Sequence, residues 1–219
     1  GMSKDTLISE KRTIGPFSGI KFNGIGHVYI SRGESTSLEV KAPAAILQKA
    51  KTEVKNDVLE IGFRFALFRW LRSIGEMGQI EFHITCPELN TIISNGAGKI
   101  TGTDTLNTKD MTIKSAGAGN IELSLEAASL LAKVTGAGSV ILNGKVNAQD
   151  VSITGAGRFD AFNLISESAN VRSTGNGQAN ITVNKKLSVE LTGVGSVKYK
   201  GEPQIESRIT GLGKHVSEK

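Results

Sequence analysis

With 219 residues the chain is long enough to bury a sizeable core, as one elongated domain or as two small ones. Gly is abundant at 26 and Pro scarce at 4, which excludes a disordered low-complexity chain, where both rise together; the single cysteine, Cys86, excludes an intrachain disulfide and any cysteine-based zinc cluster. The net charge of +5 favours anionic partners, but the basic residues (Lys99, Lys114, Lys133, Lys145, Lys198) are spread along the chain and only 5% of it is aromatic, which argues against nucleic-acid binding.

No apolar run approaches the ~18 residues of a membrane-spanning helix. The Gly1-Met2 start reads as a cloning remnant. A leader or lipid anchor upstream of it therefore stays open. Residues 1–16 read as an N-terminal tail, and 17–89 as an irregular, β-rich N-terminal part. Alternation of apolar and polar residues marks strands at 27–31, 37–41 and 79–85, the last with Ile80, Phe82 and Ile84 on one face. Pro43 followed by 44–48 predicts one short helix with proline in its first turn. Residues 54–59 predict a hairpin, because Asn56-Asp57 at its centre tolerates positive φ.

The segment 62–78 stands apart. Leu67, Trp70, Leu71 and Ile74 fall at helical spacing with Arg64, Arg69 and Arg72 between them, and the segment holds the only Trp and three of the eight Phe. Two roles fit this composition: a cap over the open end of a stacked fold, or a partner-binding patch.

From residue 90 to 213 a repeat dominates. Gly-x-Gly recurs with first glycines at Gly96, Gly117, Gly136, Gly155, Gly175, Gly193 and Gly211 and second glycines at Gly98, Gly119, Gly138, Gly157, Gly177, Gly195 and Gly213, at spacings of 18 to 21 residues. An eighth copy, Gly24-Ile25-Gly26, stands alone near the N-terminus. Four residues before the first glycine stand Ile20, Ile92, Ile113, Ala132, Val151, Val171 and Val189, with Ser207 departing; four after it stand Val28, Ile100, Ile121, Val140, Phe159, Ala179 and Val197, with His215 departing. Thr135, Thr154, Thr174, Thr192 and Thr210 each precede a first glycine. Each unit therefore reads as strand, glycine corner, strand and polar return, such as Asn143-Gly144-Lys145. No unit can bury its own apolar row, so neighbours must stack. A sandwich or barrel of hairpins competes, but hairpins have no need of equivalent residues at equivalent places. The expected fold is all-β, a parallel β-helix-like solenoid, with 214–219 as a C-terminal tail.

Chemistry is sparse. No Gly-x-Gly copy completes the dinucleotide fingerprint, since a third glycine three residues on is missing and strands follow. His27, His83 and His215 lie far apart with no metal-ligand spacing, and Cys86 has no evident histidine partner; it reads as a small buried residue. No catalytic, cofactor or metal site is expected. Parallel β-helices include glycan lyases and hydrolases, which need clustered carboxylates. Asp110 and Asp150 open similar strands but two coils apart, on the order of 10 Å.

The stretches Phe17-Ser18-Gly19-Ile20, Gly24-Ile25-Gly26-His27-Val28-Tyr29-Ile30, Leu59-Glu60-Ile61 and Pro87-Glu88-Leu89, followed by the serial Gly-Ala-Gly turns, make the chain resemble the bacterial head GIN domain family of auto-transporter adhesins, from about Phe17 to Gly213. The resemblance implies a right-handed β-helical fold and a secreted or cell-envelope location, and it supplies no catalytic motif. The expectation is a cell-envelope binding or structural module for an unidentified macromolecule, a surface polysaccharide or a protein, not a nucleic acid. It would act through regular polar ladders or through 62–78. The alternatives are a glycan-active enzyme and an envelope-sensing domain. An oligomer is compatible with either.

Overall fold

A computed structural model describes residues 6–64 and 79–218. Its strands join in one continuous 17-stranded sheet that coils into a β-solenoid of about seven turns. The regular part runs through β8 (Thr91–Gly96), β9 (Lys99–Gly102), β10 (Leu106–Gly117), β11 (Asn120–Gly136), β12 (Ser139–Gly155), β13 (Arg158–Gly175), β14 (Gln178–Gly193), β15 (Ser196–Lys200), β16 (Gln204–Gly211) and β17 (Lys214–Ser217). Strand segments leading into each glycine corner stack in parallel as a first wall, and segments leaving it stack as a second wall.

The corners explain the glycines. Successive first glycines pair in register, Gly96 with Gly117, Gly117 with Gly136, and so on to Gly211. At Gly136 φ is +99°, and a Cβ there would stand 2.6 Å from the carbonyl oxygen of Gly117. Backbone therefore rests on backbone at each corner, where a side chain would part the rungs. The amides that follow donate to the corner below, Ala118 N to Gly96 O at 3.0 Å and Asn120 N to Gly98 O at 3.1 Å, so the parallel ladder continues around the bend.

The two apolar columns flanking the corners form the core. Ile20, Ile92, Ile113, Ala132, Val151, Val171 and Val189 are buried on one side, and Val28, Ile100, Ile121, Val140, Phe159, Ala179 and Val197 on the other. The departures mark the C-terminal end: Ser207 is exposed and His215 half-buried, and every residue of β16 is exposed. The returns differ from expectation. Asn143-Gly144-Lys145 continues as strand within β12, with a register shift between Ile141 and Gly144 against β13.

In the N-terminal part, chain order and spatial order separate. The first rung, β2 (Gly19–Gly24) and β3 (His27–Arg32), stacks in parallel on β8 and β9; on its other side lie β6 (Val58–Phe63) and β7 (Glu81–Cys86), also parallel. Antiparallel strands finish this end: β5 (Ala50–Lys55) on β6, β4 (Ser37–Ala42) on β7, and β1 (Ile8–Arg12) on β4. The expected helix is α1 (Ala44–Leu47), and the expected hairpin joins β5 to β6 with Asn56 at φ 51° and Asp57 at φ 66°. The guanidinium of Arg12 donates to Leu47 O at 2.8 Å and Ala50 O at 2.6 Å, tying β1 to α1 and β5. Two stretches read as tails thus contribute strands, β1 within 1–16 and β17 within 214–219.

Candidate binding surface

Because side chains alternate across a strand, the residues at odd offsets from each first glycine face outward on the first wall. Next to the corner, Thr135, Thr154, Thr174, Thr192 and Thr210 form one exposed column, one per rung and in register. Rungs repeat every ~4.8 Å, so the hydroxyls make a regular row. Thr135 Oγ1 donates to Ser115 O at 3.4 Å; the other four hydroxyls make no hydrogen bond among the described residues.

Two positions further from the corner runs a second outward column: Lys114, Lys133, Ser152, Arg172, Glu190 and Arg208. Lys114 and Lys133 are exposed, directly paired on adjacent strands, and without an ion-pair partner among the described residues. Like charges so placed repel by a fraction of a kcal/mol, up to about 1. Arg172 is held by Asp150 at 3.4 Å. The dispersal of lysines read from the sequence is corrected here. Residues 19 apart in the chain are neighbours in space, because one turn of the coil lies between them.

The second wall carries an aromatic column that the sequence did not disclose. Tyr29 is stacked between His27, at 4.0 Å between ring centroids, and His83, at 4.8 Å. Pairing of β3 with β7 sets His83 opposite Tyr29 and Glu81 opposite His27. His27 Nε2 lies 2.7 Å from Thr101 Oγ1, and His83 Nε2 lies 2.9 Å from Glu81 Oε1. Burial and then the charge of Lys99 hold the His27 pKa below its ordinary value, opposed by Glu81. The stack hides both faces of the tyrosine ring, so it offers edges rather than a platform for a sugar. Among the described residues no group of three or more His, Cys, Asp or Glu could hold a metal ion.

A groove of about 660 Å³ beside the first corner is lined by Asn23, Lys51, Glu53, Glu60, Phe63 and Asn95. Glu53 and Glu60 sit directly opposite one another on β5 and β6. Lys51 at 3.4 Å and Lys55 at 3.8 Å neutralise Glu53. Asp110 pairs in register with Ser129 and Asp150 with Leu131, so the two carboxylates stand apart along the strands as well as two rungs apart. Asp110 accepts from Ser129 Oγ at 2.6 Å. Cys86 is 1% exposed, and burial pushes its thiol up to about 11, which keeps it protonated and unreactive.

Of the residues read as a cap or partner site, Arg64 follows β6 and its backbone amide donates to Lys49 O at 3.0 Å. Leu67, Arg69, Trp70, Leu71, Arg72 and Ile74 lie outside the described residues. Among the first glycines of the corners, Gly24 differs from the rest. There a Cβ would meet the Phe63 ring at 2.9 Å rather than backbone.

Solved structures share this architecture over their whole length. The chain is similar to a protein from Bacteroides fragilis described as a putative adhesin, with 24% identity, complete coverage of both chains and a TM-score of 0.87. A protein from Parabacteroides merdae with the same description gives 21% identity, 98% and 97% coverage and a TM-score of 0.74. One from Parabacteroides distasonis described as a putative lipid binding protein gives 18% identity, 98% and 97% coverage and a TM-score of 0.76. These likenesses show the fold alone. No curated protein matches the chain. A family profile described as "Putative auto-transporter adhesin, head GIN domain" matches residues 16–203, and the chain belongs to that family.

Proposed function

We propose that the chain is a non-catalytic binding module of the bacterial cell envelope, and that its working surface is the outer face of the first wall, which takes an extended acidic polysaccharide. The observation that carries this reading is the outward face of the first wall, where the unpaired Lys114 and Lys133 stand opposite each other on adjacent strands and the threonine column starts at Thr135, on the rung of Lys133, and runs on through the later rungs. A row of hydroxyls at rung spacing offers hydrogen bonds to successive sugars, and two adjacent ammonium groups favour a chain bearing carboxylates. Such a ligand relieves the lysine–lysine repulsion that the free protein carries. Family membership supports the envelope location and the adhesive role.

The test is calorimetric titration of the full chain with polygalacturonate, with neutral dextran as control. Polygalacturonate should bind and weaken as salt is raised, and Lys114→Glu/Lys133→Glu should lose at least about 10-fold in affinity, ~1.4 kcal/mol. Equal binding of dextran, or an unaffected double variant, contradicts the proposal.

A glycan-cleaving reading rests on the Glu53–Glu60 pair in the groove beside Phe63. It is the weaker reading because two lysines already engage Glu53. New reducing ends appearing in the same titration would favour it.

A further inference from the structure

The two ends of the solenoid are finished differently. At the N-terminal end the sheet is extended by antiparallel strands, β5 on β6, β4 on β7 and β1 on β4. At the C-terminal end β16 is hydrogen-bonded along β14 on one side, and its other edge has no strand partner among the described residues. Such an edge presents a row of free amides and carbonyls that pairs readily with another strand. Its side chains carry core character: Ile205 continues the buried Leu187 position and Ile209 continues the buried Leu191 position, yet they are 37% and 38% exposed. The corner residues follow the same trend. Val194 is 52% and Leu212 85% exposed, where earlier corners carry Ala97, Ala118, Ala137 and Ala156.

The sequence of β16, Gln204-Ile205-Glu206-Ser207-Arg208-Ile209-Thr210, is complementary to itself read backwards. Suppose two copies lay antiparallel with a two-fold axis through Ser207. Glu206 would then face Arg208 of the second copy, Ile205 would face Ile209, and Gln204 would face Thr210, each pairing occurring twice. This register alone sets Glu206 against Arg208, and the same register matches the isoleucines. Neither Glu206 nor Arg208 has an ion-pair partner among the described residues. Directly opposed charges and apolar pairs are the stabilising units of an antiparallel ladder.

We propose that the C-terminal edge strand β16 is a self-association surface, on which a second copy of this chain adds its own β16 antiparallel about Ser207. The contact is isologous, so it closes at a dimer and uses up the β16 edge of both copies. The two first walls then continue into one another, doubling the length of the outward face without covering it. The inference does not depend on the nature of the ligand at that face.

Sedimentation velocity on the full chain over a wide concentration range tests this, with circular dichroism to confirm folding. A monomer–dimer equilibrium is expected. Arg208→Glu sets glutamate against glutamate twice and should weaken the dimer at least 10-fold, as should Glu206→Arg. The double variant Glu206→Arg/Arg208→Glu restores the complementarity and should recover the dimer, which a merely destabilised strand would not. Ser207→Cys should cross-link the dimer through one disulfide under mild oxidation, the native Cys86 being buried. A wild-type chain that stays monomeric at high micromolar concentration overturns the proposal and leaves the edge to a different protein. So does a dimer that the single charge reversals leave unchanged.

Discussion

The regular coils from β8 onward and the N-terminal rungs are built from the same corner, yet they obey different rules of assembly. After β8–β9, each turn stacks on the turn that precedes it in the chain. In the N-terminal part the first rung lies between β6–β7 and β8–β9, so the second rung of the chain is the outer one in space. Stacking neighbours in sequence lets identical residues fall into columns. An interleaved rung has to match partners of unlike sequence, which is why Gly24 meets the ring of Phe63 where the first glycine of each later corner meets backbone.

That contrast can be broken by substitution at equivalent corners. Gly136→Ala puts a Cβ 2.6 Å from the Gly117 carbonyl at a φ of +99°, and neither backbone can retreat without parting the rungs. Its cost should be about 3 kcal/mol or more. Gly24→Ala meets a φ of +153° but only a side chain, the Phe63 ring, and should cost less, about 2 kcal/mol. Urea unfolding of both variants gives the comparison, and equal losses would remove the distinction between the two regions.

A smaller effect sharpens the N-terminal side. His27 is held below its ordinary pKa by burial and by Lys99, with Glu81 opposing and His83 adding slightly to the depression. The unfolded chain takes up that proton near pH 6.5. Native His27 resists it, so between its lowered pKa and about 6.5 the unfolded state binds more protons. Stability should therefore be complete above that window and fall as the pH is lowered through it. Melting temperatures from pH 7.5 to 5 should show a shallower decline in His27→Gln than in the wild type. An identical slope in the two proteins would mean that burial and Lys99 do not hold the histidine's pKa down.

The corners and core columns were legible because their signal is local. A glycine with alternating apolar residues on both sides states its own geometry, and the period places the next copy. The same locality exposed the Asn56–Asp57 hairpin and the helix after Pro43. The histidine–tyrosine stack was not legible, since Tyr29 meets His83 only after the chain has travelled out to β6 and returned as β7. The lysine column failed for the opposite reason. Lys114 and Lys133 are 19 residues apart in the chain, and in a coil of that length one whole turn amounts to a single strand spacing of ~4.8 Å.

The claim that the outward wall is the working surface is tested most directly by following backbone amide and side-chain ammonium shifts while an oligogalacturonate is titrated into the protein. Shifts should concentrate on residues 112–116 and 131–136 and on the Lys114 and Lys133 ammonium groups, should continue along the threonine column at Thr154, Thr174, Thr192 and Thr210, and should fade as salt is raised. Shifts centred instead on Asn23, Glu53, Glu60 and Phe63 would place the ligand in the groove and contradict the account.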